Sequence, residues 1–241
     1  LLLGTLAHRL EGVAVPDAVA RILSDGRVDA DNARRGALFE AQMTARALAA
    51  TGAPIVLLKG TAYAAANLNA AQGRHIGDTD ILVPKAALPA VETALLSQGW
   101  EWVKDDPYDH AYYTQWMHEL PPLIHKGRDR MADVHHTILP LTHRLTPSAE
   151  ALLNGARAME GMDGLSVLSP ADMVCHCAAH LIADGDLAGG MRNLWDFHSL
   201  CEQFAAADPD FWTVLRDRAG MHDLRAPVER AARLAHALYG T

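Results

Sequence analysis

Arg74-His-Ile-Gly-Asp-Thr-Asp-Ile-Leu-Val83 is the stretch that decides the fold. In a β-strand successive side chains point to opposite faces, so Asp78 and Asp80 project from one face while the apolar residues after them face the core. Two neighbouring carboxylates repel each other unless a cation lies between them. Because hard divalent cations prefer oxygen ligands, this pair predicts a magnesium site on a strand.

A second apolar run, Pro54-Ile-Val-Leu-Leu-Lys-Gly60, lies upstream of the paired aspartates. Residues 55–58 predict a short buried strand that ends at a glycine turn, and the alanine-rich residues 61–70 predict a helix. Lys59 allows two interpretations: it binds phosphate as a point charge, or it ends a strand in solvent. Arg74 also allows two interpretations, since it can neutralise a triphosphate or pair structurally with the carboxylates of Asp78 and Asp80.

Helical patterns flank this pair of predicted strands. Residues 1–51 are predicted as helical, with a longer helix from about residue 31 to residue 50 that Gly52 closes, and residues 85–98 predict another helix. From residue 147 the pattern is helical to the end, and Ser169 followed by Pro170 is typical of a helix start. The last helices are predicted near residues 170–184, 190–205, 209–219 and 223–239.

Further short strands are predicted between these helical regions. They lie at residues 78–83, 100–103, 110–117, 123–125 and 131–138. In the last of them Asp133 would emerge beside the paired aspartates if the two strands are neighbours. Because the pattern changes from strand-rich to helix-rich near residue 145, we predict three parts: an N-terminal helical segment (1–51), a catalytic core (52–145) and a helical C-terminal domain (146–241).

The composition is that of a globular protein, with half of the 241 residues hydrophobic and 21% charged. The formal net charge of −8 argues against a protein that wraps a nucleic-acid backbone, because such proteins usually carry a basic surface. Three cysteines are too few for a disulfide framework. No apolar run approaches the roughly 20 residues that span a bilayer, and the first residues lack the basic flank of a signal peptide. We therefore expect no membrane association and a cytoplasmic location.

Four short motifs together resemble one superfamily. They are Leu57-Leu-Lys-Gly60, Arg74-His-Ile-Gly-Asp-Thr-Asp-Ile-Leu-Val83, Asp133-Val-His135 and Leu194-Trp-Asp196. This set resembles the nucleotidyltransferase superfamily with the DNA polymerase β-like fold, and within it a bacterial branch of largely uncharacterised members. The resemblance implies an α+β fold, in which a small mixed β-sheet nucleotidyltransferase core is flanked by helices and followed by a mainly helical C-terminal region.

The resemblance also implies roles for individual residues. Asp78 and Asp80 match paired metal ligands, and Asp133 matches a third carboxylate that completes the metal site or deprotonates the acceptor hydroxyl. Two-metal sites of this kind stabilise the attacking and leaving oxygens of an in-line displacement. The residues that match the nucleotide-binding positions are Lys59, Gly60, Thr61 and Arg74. Thr61 departs from the serine or glycine usual in the superfamily, and its β-branch leaves less room for the phosphates.

We therefore predict an Mg²⁺-dependent nucleotidyltransferase that uses an NTP, with ATP expected and Mn²⁺ as an alternative ion. The acceptor is predicted to be a hydroxyl group on a small molecule, a peptide or a protein, because the acidic charge disfavours long nucleic acid. Attack at the γ-phosphorus would instead make the protein a phosphotransferase on the same fold. A catalytically inactive nucleotide-binding or regulatory module is a further alternative, because Thr61 and the long segment from Gly60 to Asp78 can weaken NTP binding.

The histidines and cysteines allow a third hypothesis, a zinc-dependent hydrolase, which the zinc content of the protein tests. His135 and His136 are candidate ligands, although such a pair more often divides between the core and the surface. Cys175-His-Cys177 and His180 lie on one predicted helix. A Cys-x-Cys spacing directs the two sulfurs apart, whereas zinc sites favour two to four intervening residues, so a buried helix face is the simpler interpretation.

Arg192 and Asp196 are four residues apart on a predicted helix. At this spacing they predict an ion pair on the helix surface. The branch that the chain resembles has an aspartate at the position of Asp196, which implies a structural link from the helical tail back to the catalytic half.

Overall fold

The computed structural model describes residues 2–183 and 190–241. In this part of the chain the helices are α1 (Leu3–Arg9), α2 (Asp17–Leu48), α3 (Lys59–Ala65), α4 (Leu88–Ser97), α5 (Pro107–Trp116), α6 (Ala149–Asn154), α7 (Pro170–Ala178), α8 (Met191–Ala207), α9 (Phe211–Met221) and α10 (Arg225–Tyr239). The strands are β1 (Ile55–Leu57), β2 (Asp78–Leu82), β3 (Trp100–Trp102), β4 (Leu123–His125), β5 (Arg130–His135), β6 (Arg157–Ala158) and β7 (Leu165–Val167).

These strands form one mixed sheet in the order β3-β4-β5-β2-β1-β7-β6. Strand β2 runs parallel to β5 and antiparallel to β1, so it lies near the centre of the sheet between them. Ile81 and Leu82 of β2 and the following Val83 are fully buried. Because this apolar end is anchored in the core, the position of the acidic beginning of β2 is fixed as well.

Helix α2 supports the sheet with a stripe of alanines. It spans 32 residues and contacts β2, α3 and α4. The stripe recurs every four residues, which is one face of a helix, and consists of the buried residues Ala33, Ala37, Ala41 and Ala45. The helix predicted over residues 31–50 is therefore the second half of a longer one. A short 3₁₀ turn follows it, and Gly52, with a φ of +67°, ends the helical segment as predicted.

Residues 110–116 lie in helix α5, so the strand predicted at 110–117 is wrong. The tyrosines, the threonine and the tryptophan of this stretch favour a strand by propensity. However, Asp106 Oδ1 accepts a hydrogen bond from the backbone N–H of Tyr108 at 2.8 Å, and Pro107 takes the first helical position. The cap and the proline start a helix, and they outweigh the propensity of the residues that follow.

The prediction that the chain is helical throughout from residue 147 is also wrong. Strands β6 and β7 lie between α6 and α7, and β7 pairs with β1 in parallel, with Ile55 opposite Leu165. Strands of two or three residues are too short to show a periodic pattern in the sequence. The division of the chain into three parts at residues 51 and 145 stays a prediction.

The later helices and the fold class are as predicted. The backbone N–H of Asp172 donates to Ser169 Oγ at 3.3 Å, which confirms the start of α7. A π-helical turn over Ala179–Ala183 continues α7, and the predicted end at residue 184 lies outside the described residues. The α+β class, with a mixed sheet, flanking helices and a mainly helical C-terminal region, is confirmed. Within the described ranges, none of the helices has the length and apolar character needed to cross a membrane.

Candidate active site

The three acidic residues singled out in the sequence lie on two adjoining strands. Asp80 on β2 stands directly opposite Asp133 on the parallel strand β5. Asp78, two residues before Asp80, faces the same side of the sheet because strand side chains alternate. Asp78 is exposed, Asp133 is half-buried and Asp80 is 2% exposed. The sheet therefore brings the three carboxylates to one place, with Asp80 the deepest of them.

Asp80 is contacted by two basic side chains. Lys59 Nζ donates to Asp80 Oδ1 at 2.7 Å, and His135 Nε2 lies 3.0 Å from the same oxygen. Burial alone would raise the pKa of Asp80, but Lys59 and His135 together hold that pKa far below its ordinary value. Asp80 is therefore an ionised carboxylate at neutral pH.

The pKa of Asp133 moves in the opposite direction. Burial raises the pKa of Asp133 to about 6, and the charges of Asp80 and Glu119 act in the same sense. Repulsion of this kind is relieved when a divalent cation binds between the carboxylates. The donors are also hard oxygen atoms, which suit Mg²⁺ or Mn²⁺. By their chemistry and by their mutual repulsion, Asp78, Asp80 and Asp133 fit such an ion.

Lys59, the first residue of α3 after β1, has an unusual backbone conformation. Its φ is +46°, in the left-handed region that residues with a Cβ rarely adopt. Such strain persists only where the surrounding structure enforces it, and it is common at functional sites. Burial lowers the pKa of Lys59, but attraction to Asp80 outweighs this and leaves the pKa above its ordinary value. The side chain is a positive charge directed at Asp80, so the interpretation that Lys59 ends the strand in solvent is wrong.

Gly60 and Thr61 form the first turn of α3 and are buried. Thr61 Oγ1 donates to the backbone carbonyl of Asp78 at 3.1 Å, so the hydroxyl joins α3 to the beginning of β2. A Cβ at position 60 would collide with the guanidinium group of Arg74, which explains a glycine at this point. That Gly60 and Thr61 also contact a nucleotide stays a prediction.

Arg74 joins the segment before β2 to helix α8. Its Nε donates to Asp196 Oδ2 on α8 at 3.1 Å. Asp196 Oδ1 also accepts a hydrogen bond from Arg192, which in turn donates to the carbonyl of Ala70 at 2.8 Å. The predicted pair of Arg192 and Asp196 is present, but the two residues are 6% and 2% exposed, so the expected surface location is wrong. Arg74 is paired with the carboxylate of Asp196 rather than with those of Asp78 and Asp80, and its contact with a triphosphate stays a prediction.

The two adjacent histidines are both buried, so the expected division between core and surface is wrong. His135 contacts Asp80, whereas His136 lines a separate depression with Lys85. Strand alternation at the end of β5 gives the two neighbouring side chains these separate surroundings.

The cysteines of α7 are buried, as expected if this stretch is a buried helix face and not a zinc site. Cys175 and Cys177 are free thiols in the core. Burial raises the pKa of Cys175 to about 12, which disfavours the thiolate that zinc would need. Cys177 Sγ donates to the backbone carbonyl of Asn193 at 3.3 Å.

Two residues beside the acids were not recognised from the sequence. His118 and Glu119 follow α5, and Glu119 pairs with His135 through an isolated β-bridge. Glu119 Oε2 lies 3.2 Å from His135 Nδ1. A long-range backbone pairing brings Glu119 to this position, and no local pattern at residues 117–120 signals it.

The chain belongs to the family described as "Uncharacterised nucleotidyltransferase", which matches residues 1–240. This confirms the resemblance inferred from the motifs, and it extends that resemblance through the helical tail. The protein is accordingly a transferase of nucleotidyl groups by family, and the family implies an NTP substrate and an acceptor.

Two solved structures resemble this chain at low sequence identity. The antibiotic-resistance factor ANT(2'')-Ia is 13% identical, with a TM-score of 0.47 over 86% of this chain and 98% of that chain. JHP933 from Helicobacter pylori is 15% identical, with a TM-score of 0.42 over 86% of this chain and 92% of that chain. No curated protein matches the chain. The family assignment rests on the match over residues 1–240 and not on these two likenesses.

Proposed function

We propose that the protein transfers a nucleotidyl group from an Mg²⁺-bound NTP to a hydroxyl group on a small molecule, a peptide or a protein. The observation that carries this proposal is the register of Asp80 on β2 against Asp133 on β5. With Asp78 on the same face, carboxylates from two strands can converge on a divalent cation. The family supplies the class of reaction, and the three acids supply a site where it can occur.

The acids have separate roles in this proposal. Asp78 and Asp80 hold the metal ion, and Asp133 completes the site or accepts the proton of the acceptor hydroxyl. A bound Mg²⁺ would neutralise charge on the triphosphate and align the oxygens of an in-line displacement. The pKa of Asp133, raised by burial to about 6, supports a role as proton acceptor, because a general base works best when its pKa is near the operating pH.

Lys59 and the turn after it are proposed to receive the polyphosphate. Lys59 Nζ is 2.7 Å from Asp80 Oδ1, so a cation that takes over the charge of Asp80 would release this ammonium group for a phosphate. Thr61 holds the turn against β2 through its hydrogen bond to Asp78. Arg74 constrains the turn through its close approach to Gly60.

The nature of the acceptor is argued from charge. The net charge of −8 supports a small or peptide-like acceptor, because an acidic protein repels a long phosphate backbone. A triphosphate is different, since it arrives with Mg²⁺ and its charge is partly neutralised. ATP is the first nucleotide to test.

Transfer of label from NTPs to fractions of a cell extract tests the proposal, with Mg²⁺ or Mn²⁺ present. We expect label from the α-phosphorus to reach an acceptor with the native protein and not with the Asp78→Asn/Asp80→Asn variant. Asp163→Asn, which changes an exposed aspartate of the β6–β7 turn, is the matched control and should keep the activity. Transfer of γ-label would instead identify a phosphotransferase, and NTP binding without any transfer would favour an inactive nucleotide-binding module.

A further inference from the structure

A second group of metal-ligating side chains lies beside the three acids. It consists of His118, Glu119 and His135, whose candidate ligand atoms all lie within 4.8 Å of one another. Glu119 Oε2 is 3.2 Å from His135 Nδ1 and 3.9 Å from His118 Nε2. The two imidazole rings are stacked, with centroids 5.2 Å apart. None of the three assigned metal ligands, Asp78, Asp80 and Asp133, belongs to this cluster.

The hydrogen bond between His135 and Asp80 decides which ring nitrogen faces the cluster. Asp80 is an ionised carboxylate that can only accept, so His135 Nε2, 3.0 Å away, carries the hydrogen. The other ring nitrogen, Nδ1, faces Glu119. Nδ1 is buried and makes no hydrogen bond, although Glu119 Oε2 is 3.2 Å away. A divalent cation placed between Nδ1 and Oε2 would bind both atoms.

We propose that His118, Glu119 and His135 bind a divalent transition-metal ion of the Zn²⁺ type, at a site separate from the proposed Mg²⁺ site. Two imidazoles and one carboxylate form a known set of three zinc ligands that leaves a fourth position open. Imidazole nitrogen selects Zn²⁺ over Mg²⁺, which prefers oxygen ligands. This preference keeps the two sites chemically distinct.

The distances support this assignment. Ligand atoms around a tetrahedral Zn²⁺ are roughly 3.3 Å apart, as follows from metal–ligand bonds of about 2.0–2.2 Å. The separations of 3.2 and 3.9 Å around Glu119 Oε2 are near this value. A histidine that binds a metal also commonly donates its other ring N–H to a carboxylate, which is the contact that His135 makes with Asp80.

An ion at this site would lie one imidazole ring away from Asp80. Ligation through Nδ1 would fix the plane of the His135 ring and keep its Nε2–H directed at the carboxylate. The ion would therefore position Asp80 and would not itself contact the reacting phosphate. In a zinc-dependent hydrolase the zinc takes part in the reaction, whereas here it would hold the neighbouring residue Asp80 in position.

Metal content tests the proposal without any assay of transfer. The full chain is freed of metal with a chelator and dialysed against Zn²⁺ in an excess of Mg²⁺, and bound zinc is measured by elemental analysis. We expect about one zinc ion per chain. Glu119→Gln and His118→Ala should each weaken zinc binding by at least about tenfold. Both side chains are partly exposed, so both variants should fold, and their unfolding midpoints without zinc check this.

Substitution with Co²⁺ gives a second readout. A tetrahedral Co²⁺ site absorbs visible light, so the native protein should develop this absorption and the Glu119→Gln protein should not. Asp78→Asn should keep the zinc site while it weakens Mn²⁺ binding, which separates this proposal from the proposed function. Cys177→Ser should also keep zinc, since Cys177 is a buried thiol outside the cluster.

Three results would overturn the proposal. The native protein could release all of its zinc to Mg²⁺, which would show an oxygen site or no site. Glu119→Gln could bind zinc as tightly as the native protein, which would place the ion elsewhere. Cys177→Ser could be the variant that loses zinc, which would assign the ion to α7.

Discussion

Lys59 Nζ lies 2.7 Å from Asp80 Oδ1, so a lysine ammonium group neutralises the carboxylate at the centre of the site. The lysine side chain is 24% exposed and the aspartate side chain 3% exposed, which makes this a largely buried pair. In the proposed function a metal ion binds the same carboxylate. Metal binding and Lys59 therefore compete for one negative charge, and a Lys59 that is displaced can meet the triphosphate.

Lys59→Ala should bind Mn²⁺ more tightly than the native protein in the absence of nucleotide. Removing one partner of a buried pair leaves the other charge uncompensated, so Asp80 gains more from a cation. The same variant should transfer label at least about tenfold more slowly, because a phosphate contact is lost. Calorimetric titration and the transfer assay measure the two effects. Lys126→Ala, at a lysine side chain that is 64% exposed, is the control. Equal Mn²⁺ affinity in the Lys59→Ala and Lys126→Ala variants would contradict the idea that the metal ion displaces Lys59 from Asp80.

Asp133→Asn should slow transfer by about 10²- to 10⁴-fold, the usual contribution of a general base. Nucleotide binding should fall much less, since Asp78 and Asp80 would remain to hold a metal ion. Single-turnover rates and equilibrium binding of a non-hydrolysable ATP analogue separate the two quantities. A variant that turns over at the native rate would remove Asp133 from the mechanism.

Gly60→Ala should destabilise the protein, because its Cβ would collide with the guanidinium group of Arg74. That group is held by Asp196 on α8, so it cannot move without loosening a buried ion pair. Loss of such packing and pairing commonly lowers the free energy of unfolding by about 2–4 kcal/mol. Gly77→Ala is the matched control, since a Cβ there meets nothing within 4 Å. Denaturant titration compares the two, and equal stabilities would show that Arg74 does not constrain Gly60.

Asp172 provides a test of pH dependence away from the site. Its carboxylate accepts hydrogen bonds from Arg218 Nε at 2.7 Å and from Ser169 Oγ at 2.7 Å, and His222 Nε2 lies 3.1 Å away. Burial would raise the pKa of Asp172, but these three partners together lower it. The folded protein therefore holds the ionised form more strongly than the unfolded chain does.

Since the pKa of Asp172 is lower in the folded state, its contribution to stability is complete above its unfolded pKa of about 4 and is lost as the pH falls through the folded value. At neutral pH, Asp172→Asn should lower the free energy of unfolding by about 1–3 kcal/mol, because buried donors lose their charged acceptor. The difference between native and variant should narrow below about pH 4. Denaturant titrations across this pH range measure the difference in free energy of unfolding between the two proteins. A difference that does not change with pH would assign the loss of stability to packing.

The strands that carry the three acids could be predicted from the sequence because their signals are local. Asp78 and Asp80 are two residues apart before an apolar run, and this spacing alone puts them on one face. Asp133 could be placed on a strand by alternation, but its register against Asp80 depends on the order of the strands in the sheet. That order is a property of the whole chain.

The errors arose where long-range contacts or short elements decide the structure. β6 and β7 contain two and three residues, and only pairing with the rest of the sheet stabilises them. The resemblance implied a link from Asp196 back to the first half of the chain, but its partner Arg74 lies 122 residues away, and no spacing rule identifies a partner at that distance. The error at α5 has a local cause. Asp106 and Pro107 indicate a helix start, but the residues after them favour a strand by propensity and led to the wrong prediction.

The most direct test of the central claim is the binding of Mn²⁺ by electron paramagnetic resonance, in the presence of a non-hydrolysable ATP analogue. If Asp78, Asp80 and Asp133 form one cation site, the native protein and Asp163→Asn should bind Mn²⁺ alike. Asp80→Asn should then lose most of that binding, and Asp78→Asn and Asp133→Asn should each weaken it. Undiminished Mn²⁺ binding in all three site variants would contradict the claim.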